Sequence, residues 1–135
     1  MTTYEITRTH TQEEVMIVNL TQHKGTPEQG VVDLPNEARA ALIALLTVEQ
    51  LPSRIDIEAR CADIALLAAT AFEQHPAQAM IGGAPWMMSA LEAALLDQGI
   101  APLYAFSTRE SVDQPQPDGS VRKAAVFRHA GWVTA

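Results

Sequence analysis

The segment that most constrains this chain runs from Ala79 through Met-Ile-Gly-Gly-Ala-Pro-Trp-Met-Met-Ser-Ala-Leu-Glu-Ala-Ala-Leu-Leu, followed by Pro102-Leu-Tyr-Ala-Phe-Ser-Thr-Arg. An apolar strand, a glycine turn, a helix opened by proline and a second strand form one βαβ unit. The first-turn amides of its helix lack partners within the helix and point toward the carboxyl edge of the sheet, where they attract anions. The natural guest of such a turn carries phosphate.

Around this unit the rest of the chain reads as α/β. Val15 to Leu20 is a short continuous apolar run, as in a strand buried on both faces, and residues 4–9 read either as a further strand or as a loose arm. A polar loop from Thr21 comes next, with a helical turn expected where Thr26 precedes Pro27. Asn36 caps a first helix, and Leu51-Pro52 breaks the stretch beyond it. Ser53 caps a longer helix in which Ile57, Cys61, Ile64, Ala65, Ala68 and Phe72 recur three and four apart, and His75-Pro76 ends it. The βαβ unit is expected as a strand over 78–81, a helix over 85–97 closed by Gly99, and a strand over 102–106. Residues 109–114 and 121–133 read as two strands of a hairpin turning at Pro117-Asp118-Gly119. No repeat or linker divides the chain. The expected fold is a single three-layer, Rossmann-like domain over residues 1–135, with a mostly parallel sheet and a C-terminal β-hairpin.

Composition narrows the function. The chain of 135 residues is 47% hydrophobic, which suits one domain with its own core. Cys61 is the single cysteine, so no internal disulfide forms, and its Ala/Leu/Ile setting marks it as a core residue. The start of the chain lacks a basic stretch followed by an apolar one, and no run is apolar for long enough to span a membrane, so a cytoplasmic protein is expected. Nine basic against sixteen acidic residues give a net charge of −7, which argues against a general DNA or RNA binder. The charge is uneven. From Ala101 onward four basic residues face three acidic ones, whereas the first hundred residues hold five and thirteen. A small anionic ligand at one local site fits this better than a long polyanion.

In open parallel sheets ligands sit outside the carboxyl ends of the strands, where strand order reverses. Three segments are expected to converge there: Asn19, Thr21, His23 and Lys24; Gly82, Gly83 and Ala84 with the helix start; and Ser107, Thr108 and Arg109. Each also has a plainer reading. The glycine pair can be only a tight turn, His23 and Lys24 a solvated pair, and Arg109 a cross-strand partner of Glu110 or Asp113. Trp86 can pack in the core, stack on a base or fill a dimer interface. Arg128 and His129 alternate to opposite faces of their strand and do not act as one unit. The histidines lack the short paired spacing of zinc sites, and neither a metal nor a cofactor is expected.

Four segments together resemble a known family: the loop Thr21-Gln-His-Lys-Gly-Thr-Pro-Glu-Gln, the segment from Gly82 to Leu95, the run Gly99-Ile-Ala-Pro-Leu-Tyr-Ala-Phe-Ser-Thr-Arg-Glu-Ser, and Gln116-Pro-Asp-Gly-Ser-Val-Arg-Lys-Ala-Ala-Val-Phe-Arg-His. They are similar, in order and over most of the chain, to the small standalone CRISPR-associated CARF-like ring nucleases of type III systems. The resemblance implies a homodimer of Rossmann-like domains that binds a cyclic oligoadenylate, commonly the four-adenosine ring, across its two-fold axis. It places His23, Lys24, Ser107 and Arg109 at ligand-facing positions. It further implies metal-independent cleavage, in which a ribose 2′-hydroxyl attacks the adjacent phosphorus to give a 2′,3′-cyclic phosphate. In that scheme Lys24 and Arg109 stabilise negative charge, His23 exchanges a proton, and the amides of Gly83 and Ala84 hold a phosphate. The chain departs from the family pattern at Gly83-Ala84-Pro85, where relatives carry a carboxylate in the turn. Sequestration of the ring without cleavage, by a dimer or by higher oligomers formed through Trp86, Met87 and Met88, is the alternative, and an unrelated nucleotide-binding Rossmann-like domain a third reading.

Overall fold

A computed structural model describes residues 15–135. The strand expected near residues 4–9 lies outside the described residues, as does His10. The elements, in order, are β1 (Ile17–Asn19), β2 (Val32–Asp33), α1 (Asn36–Leu46), α2 (Arg54–Thr70), β3 (Gln78–Met80), α3 (Pro85–Asp97), β4 (Ala101–Pro115) and β5 (Val121–Thr134). They build a five-stranded sheet in the order β2-β1-β3-β4-β5, parallel except for β5, which runs antiparallel to β4. The α/β class with a mostly parallel sheet is as the sequence predicts.

Alternation along the short parallel strands sorts their side chains to two faces. Val18, Ala79 and Ile81 belong to one buried cluster with Leu42 of α1, Ile64 of α2 and Leu91 of α3. Met80 and Leu103 are buried as well but lie outside that cluster. All three helices contribute to the one cluster, so among the described residues the expected three-layer stack shows two layers, one sheet and one helical layer. Cys61 sits in this core with no exposed surface, and its Sγ lies 3.7 Å from the Met87 carbonyl oxygen. Burial pushes its thiol pKa up.

Local chemistry explains the element ends. Ser53 caps α2 as expected, its Oγ accepting from the Asp56 amide at 3.1 Å. Gly99, at φ +72, closes α3: its amide donates to Leu96, and the Ile100 amide to Leu95, the paired bonds of a Schellman motif. At the tip of the hairpin Asp118 Oδ1 accepts from the amide and the hydroxyl of Ser120, and Gly119 takes φ +88.

Other expectations need correction. Pro35, not Asn36, is the N-cap of α1, and Asn36 is the first helical residue with no capping side-chain bond. The second helix ends at Thr70, well before His75-Pro76. The region after Thr26 is a hydrogen-bonded turn, Gln29 N to Thr26 O at 3.1 Å, rather than helix. The two strands expected over 102–106 and 109–114 are one, β4, because pairing to β5 runs unbroken from Leu103 to Pro115 apart from one slip. There Phe106 opposes Gly131 and Ser107 opposes His129, which leaves Ala130 as a bulge.

Candidate functional site

The chain leaves β1 for β2 at one edge, then returns past β1 to form β3. Strand order therefore reverses between β1 and β3, and a ligand crevice belongs at their carboxyl ends. A cavity of about 880 Å³ opens there, within the usual range for small-molecule sites. The β1–β2 loop supplies Thr21, His23, Lys24, Thr26 and Gln29 to it. The β3–α3 turn supplies Gly82, Gly83, Ala84 and Trp86. The end of α1 adds Leu46 to Val48, and β4 adds Tyr104 and Ala105.

Asn19, fully buried, shapes the first of these walls. Its Nδ2 donates to the carbonyl of His23 at 2.7 Å and to Asp33 Oδ1 at 2.8 Å. Its Oδ1 accepts from the amide and the hydroxyl of Thr21 at 2.9 and 2.8 Å. The Thr21 hydroxyl also lies 3.1 Å from the His23 carbonyl, and the Gly25 amide donates to Asp33 at 3.0 Å. The backbone is thus gripped on both sides of Lys24, so His23 and Lys24 are exposed on a loop that cannot swing freely. The bond from Asn19, then that from Gly25, holds the Asp33 carboxyl below its ordinary pKa. Gly25 cannot be replaced without movement, because a Cβ there would meet the Val31 Cγ2 methyl.

At the second wall Gly83 takes φ +141, a conformation that favours glycine. Ala84 is the N-cap of α3 and Pro85 opens the helix, so its positive end faces the cavity. On the third wall the Tyr104 hydroxyl donates to Glu92 of α3 at 2.6 Å. Burial, together with the carboxylate of Glu92, pushes this phenol up to about 12, so it lines the cavity as a neutral ring.

Among the described residues no carboxylate lines this cavity, whereas Lys24, His23 and the helix terminus do. The lining suits an anion with apolar parts. Among the described residues no group of three or more His, Cys, Asp or Glu is placed to hold a metal ion.

Of the residues expected at the site, Thr21, His23, Lys24, Gly82, Gly83, Ala84 and Trp86 come together here. Asn19 acts from behind the wall. Ser107, Thr108 and Arg109 do not line the cavity, because they lie further along β4 where it has become a ribbon with β5. Ser107 borders a cleft shared with Pro27, Glu28, Phe127 and His129, and Arg109 a smaller one with Ser111 and Lys123. The pairing foreseen for Arg109 is taken by others: Asp113 bonds Lys123, and Glu110 lies 3.4 Å from Arg128. Sequence reasoning missed Tyr104, Thr26, Gln29 and Leu46 to Val48. Thr26 and Gln29, in the polar loop that follows the first expected strand, carried a positional signal, whereas Tyr104, midway along the strand expected over 102–106, and Leu46 to Val48 carried none.

A family model matches residues 15–133, nearly all of the described chain, and its description is "Uncharacterized protein MJ1673 family". The chain belongs to the MJ1673 family. No curated protein and no solved structure matches it. In this MJ1673-family chain the match takes in both the cavity and the ribbon. No described helix is long and apolar enough to cross a membrane.

Proposed function

We propose that this chain binds a cyclic oligoadenylate, in the first place the four-adenosine ring, with two copies of the cavity meeting one ring across a two-fold axis. In this reading it lowers the level of that messenger in type III CRISPR signalling within the cytoplasm. The observation that carries it is the cavity at the strand reversal, which no carboxylate of the described residues lines and which faces a helix N-terminus, His23 and Lys24. A phosphate fits the amides at Gly83 and Ala84, and an adenine fits the apolar part between Trp86 and Tyr104. Cleavage then needs the ring's own 2′-hydroxyl held in line with the phosphorus and the departing 5′-oxygen, so that the bond from O2′ to phosphorus forms as the bond to O5′ breaks; Lys24 stands against the developing charge, and His23 exchanges a proton with the attacking or the leaving oxygen, the 2′-hydroxyl proton being lost and one gained by O5′. Arg109 enters this scheme from the ribbon.

Sequestration without cleavage is the second reading. It is favoured by the absence, among the described residues, of a lining carboxylate to serve as general base. Calorimetry with cyclic oligoadenylates of different ring sizes tests binding, and no heat with any ring rejects both readings. Incubation with a large excess of cyclic tetra-adenylate separates them, since an enzyme consumes the excess and a binder stops at stoichiometry. Lys24→Ala combined with His23→Ala is expected to weaken binding at least about tenfold, the loss of one charge-assisted contact.

A further inference from the structure

The second half of the β1–β2 loop contains a turn bonded mostly to itself. Gln29 N donates to Thr26 O at 3.1 Å and Thr26 N to Gln29 Oε1 at 3.0 Å, so residues 26–29 close into a small unit. A glycine stands at each end. Gly25 is pinned, with its amide on Asp33 and no room for a Cβ beside Val31, whereas Gly30 takes φ +66 in open space. Thr26 and Gln29 line the cavity, and with Pro27 and Glu28 they also line a second cleft, of about 580 Å³, toward Ser107, Phe127 and His129. The turn is therefore the partition between the two spaces. It is not packed on the ribbon, because the cleft keeps them apart, and Thr26, Pro27 and Glu28 are exposed. Among the described residues the hydrogen bonds that leave 26–29 are those of Glu28 alone. One of its carboxylate oxygens accepts from Arg128 Nη1 at 2.9 Å and the other from the His129 amide at 3.1 Å.

We infer that residues 26–29 are a flap that gates the cavity, hinged at Gly25 and Gly30 and latched shut by Glu28 on β5. The latch is built to release. Both partners stand at the surface, where an ion pair is weak and is screened by salt. Opening strands no charge, because Glu28 passes into water and Arg128 keeps Glu110, 3.4 Å from its Nε. The His129 amide lies on the edge strand of the sheet, where water takes the place of the carboxylate. The first half of the loop stays behind, since Asn19 holds the His23 carbonyl and Asp33 the Gly25 amide. An open flap thus widens the way to His23 and Lys24 without displacing them, and a reclosed one retains what has entered. The guest admitted is the anion of the proposed function, on which this part of the inference rests; the latch stands without it.

Nitrogen-15 relaxation of the full chain without ligand tests the latch. In Glu28→Ala the order parameters of 26–29 are expected to fall below about 0.6 while those of 19–24 stay near about 0.85. Added salt is expected to lower the same values in the wild type and to leave the variant unchanged, a reading that needs no substitution. A turn that stays rigid without Glu28 overturns the inference. Stopped-flow binding of cyclic tetra-adenylate tests the gate. Association and dissociation are both expected to run at least about threefold faster in Glu28→Ala, with the dissociation constant changed by less than about twofold. Faster dissociation alone would make Glu28 a ligand contact, and faster association with slower dissociation would make it only a repelling charge; either result overturns the gate. A wild type that binds no cyclic oligoadenylate overturns the proposed function and the gated guest with it, whereas the order parameters still confirm or reject the latch.

Discussion

Asn19 decides what the β1–β2 loop can present. It is fully buried and uses both ends of its amide, so Asn19→Ala removes four contacts at once and strands Asp33 and Thr21. Leaving buried partners unmet costs about 1–3 kcal/mol, and a stability loss in that range is expected by urea denaturation, together with weaker ligand binding as Lys24 is released. Asp33 gives a pH signature for the same network. Its pKa is depressed in the folded chain, so its contribution is present above the ordinary aspartate value of 3.8 and is lost only as pH falls through the lower folded value. The Gly25 amide resonance is expected to titrate with a midpoint below 3.8; a midpoint at or above it would mean that the bonds from Asn19 and Gly25 do not hold in solution. These couplings were only partly legible. Thr21, His23 and Lys24 stood out as polar residues after an apolar strand, but nothing in the sequence tells that Asn19 turns inward, because its partner Asp33 lies fourteen residues away.

Elements were legible where a local rule set them and less so where pairing did. Ser53, Gly99 and the Asp118-Gly119 turn each act through bonds spanning a few residues, and all three stand where the sequence put them. Asn36 lost the cap of α1 to Pro35, because a proline one position earlier has a fixed φ, here −56, already suited to the helix entry. β2 escaped notice because two residues, Val32 and Asp33, owe their extended form to β1 alone. β4 looked like two strands because its second half is polar, a pattern that no core would select but that cross-strand pairing sustains. The local rules predict measurable losses. Ser53→Ala is expected to cost about 1 kcal/mol, and Gly99→Ala a similar amount, since its φ of +72 suits only a residue without a side chain. Thermal denaturation checks both. A melting temperature unchanged by Ser53→Ala would show that Asp56 finds its cap elsewhere.

The molecule as a whole divides its charge and its chemistry between two parts. The body holds the cavity and most of the carboxylates, while the ribbon holds Arg109 and Lys123 away from that cavity. A side chain outside its own cavity reaches a ligand only if the ligand is shared, and a ring on a two-fold axis is shared by construction. This yields a test by mixing. Lys24→Ala damages the body and spares the ribbon; Arg109→Ala does the reverse, and each variant alone is expected to bind cyclic tetra-adenylate at least about tenfold more weakly, as loss of a charge-assisted phosphate contact implies. If, in the dimer of the proposed function, the ribbon of one copy serves the cavity of the other, a mixed dimer contains one half-site with both defects and one with neither. Mixing the two variants after dissociation should then restore part of the ligand uptake. If Arg109 instead serves the cavity of its own chain, each half-site of the mixed dimer keeps one defect, and the mixture should bind no better than its components.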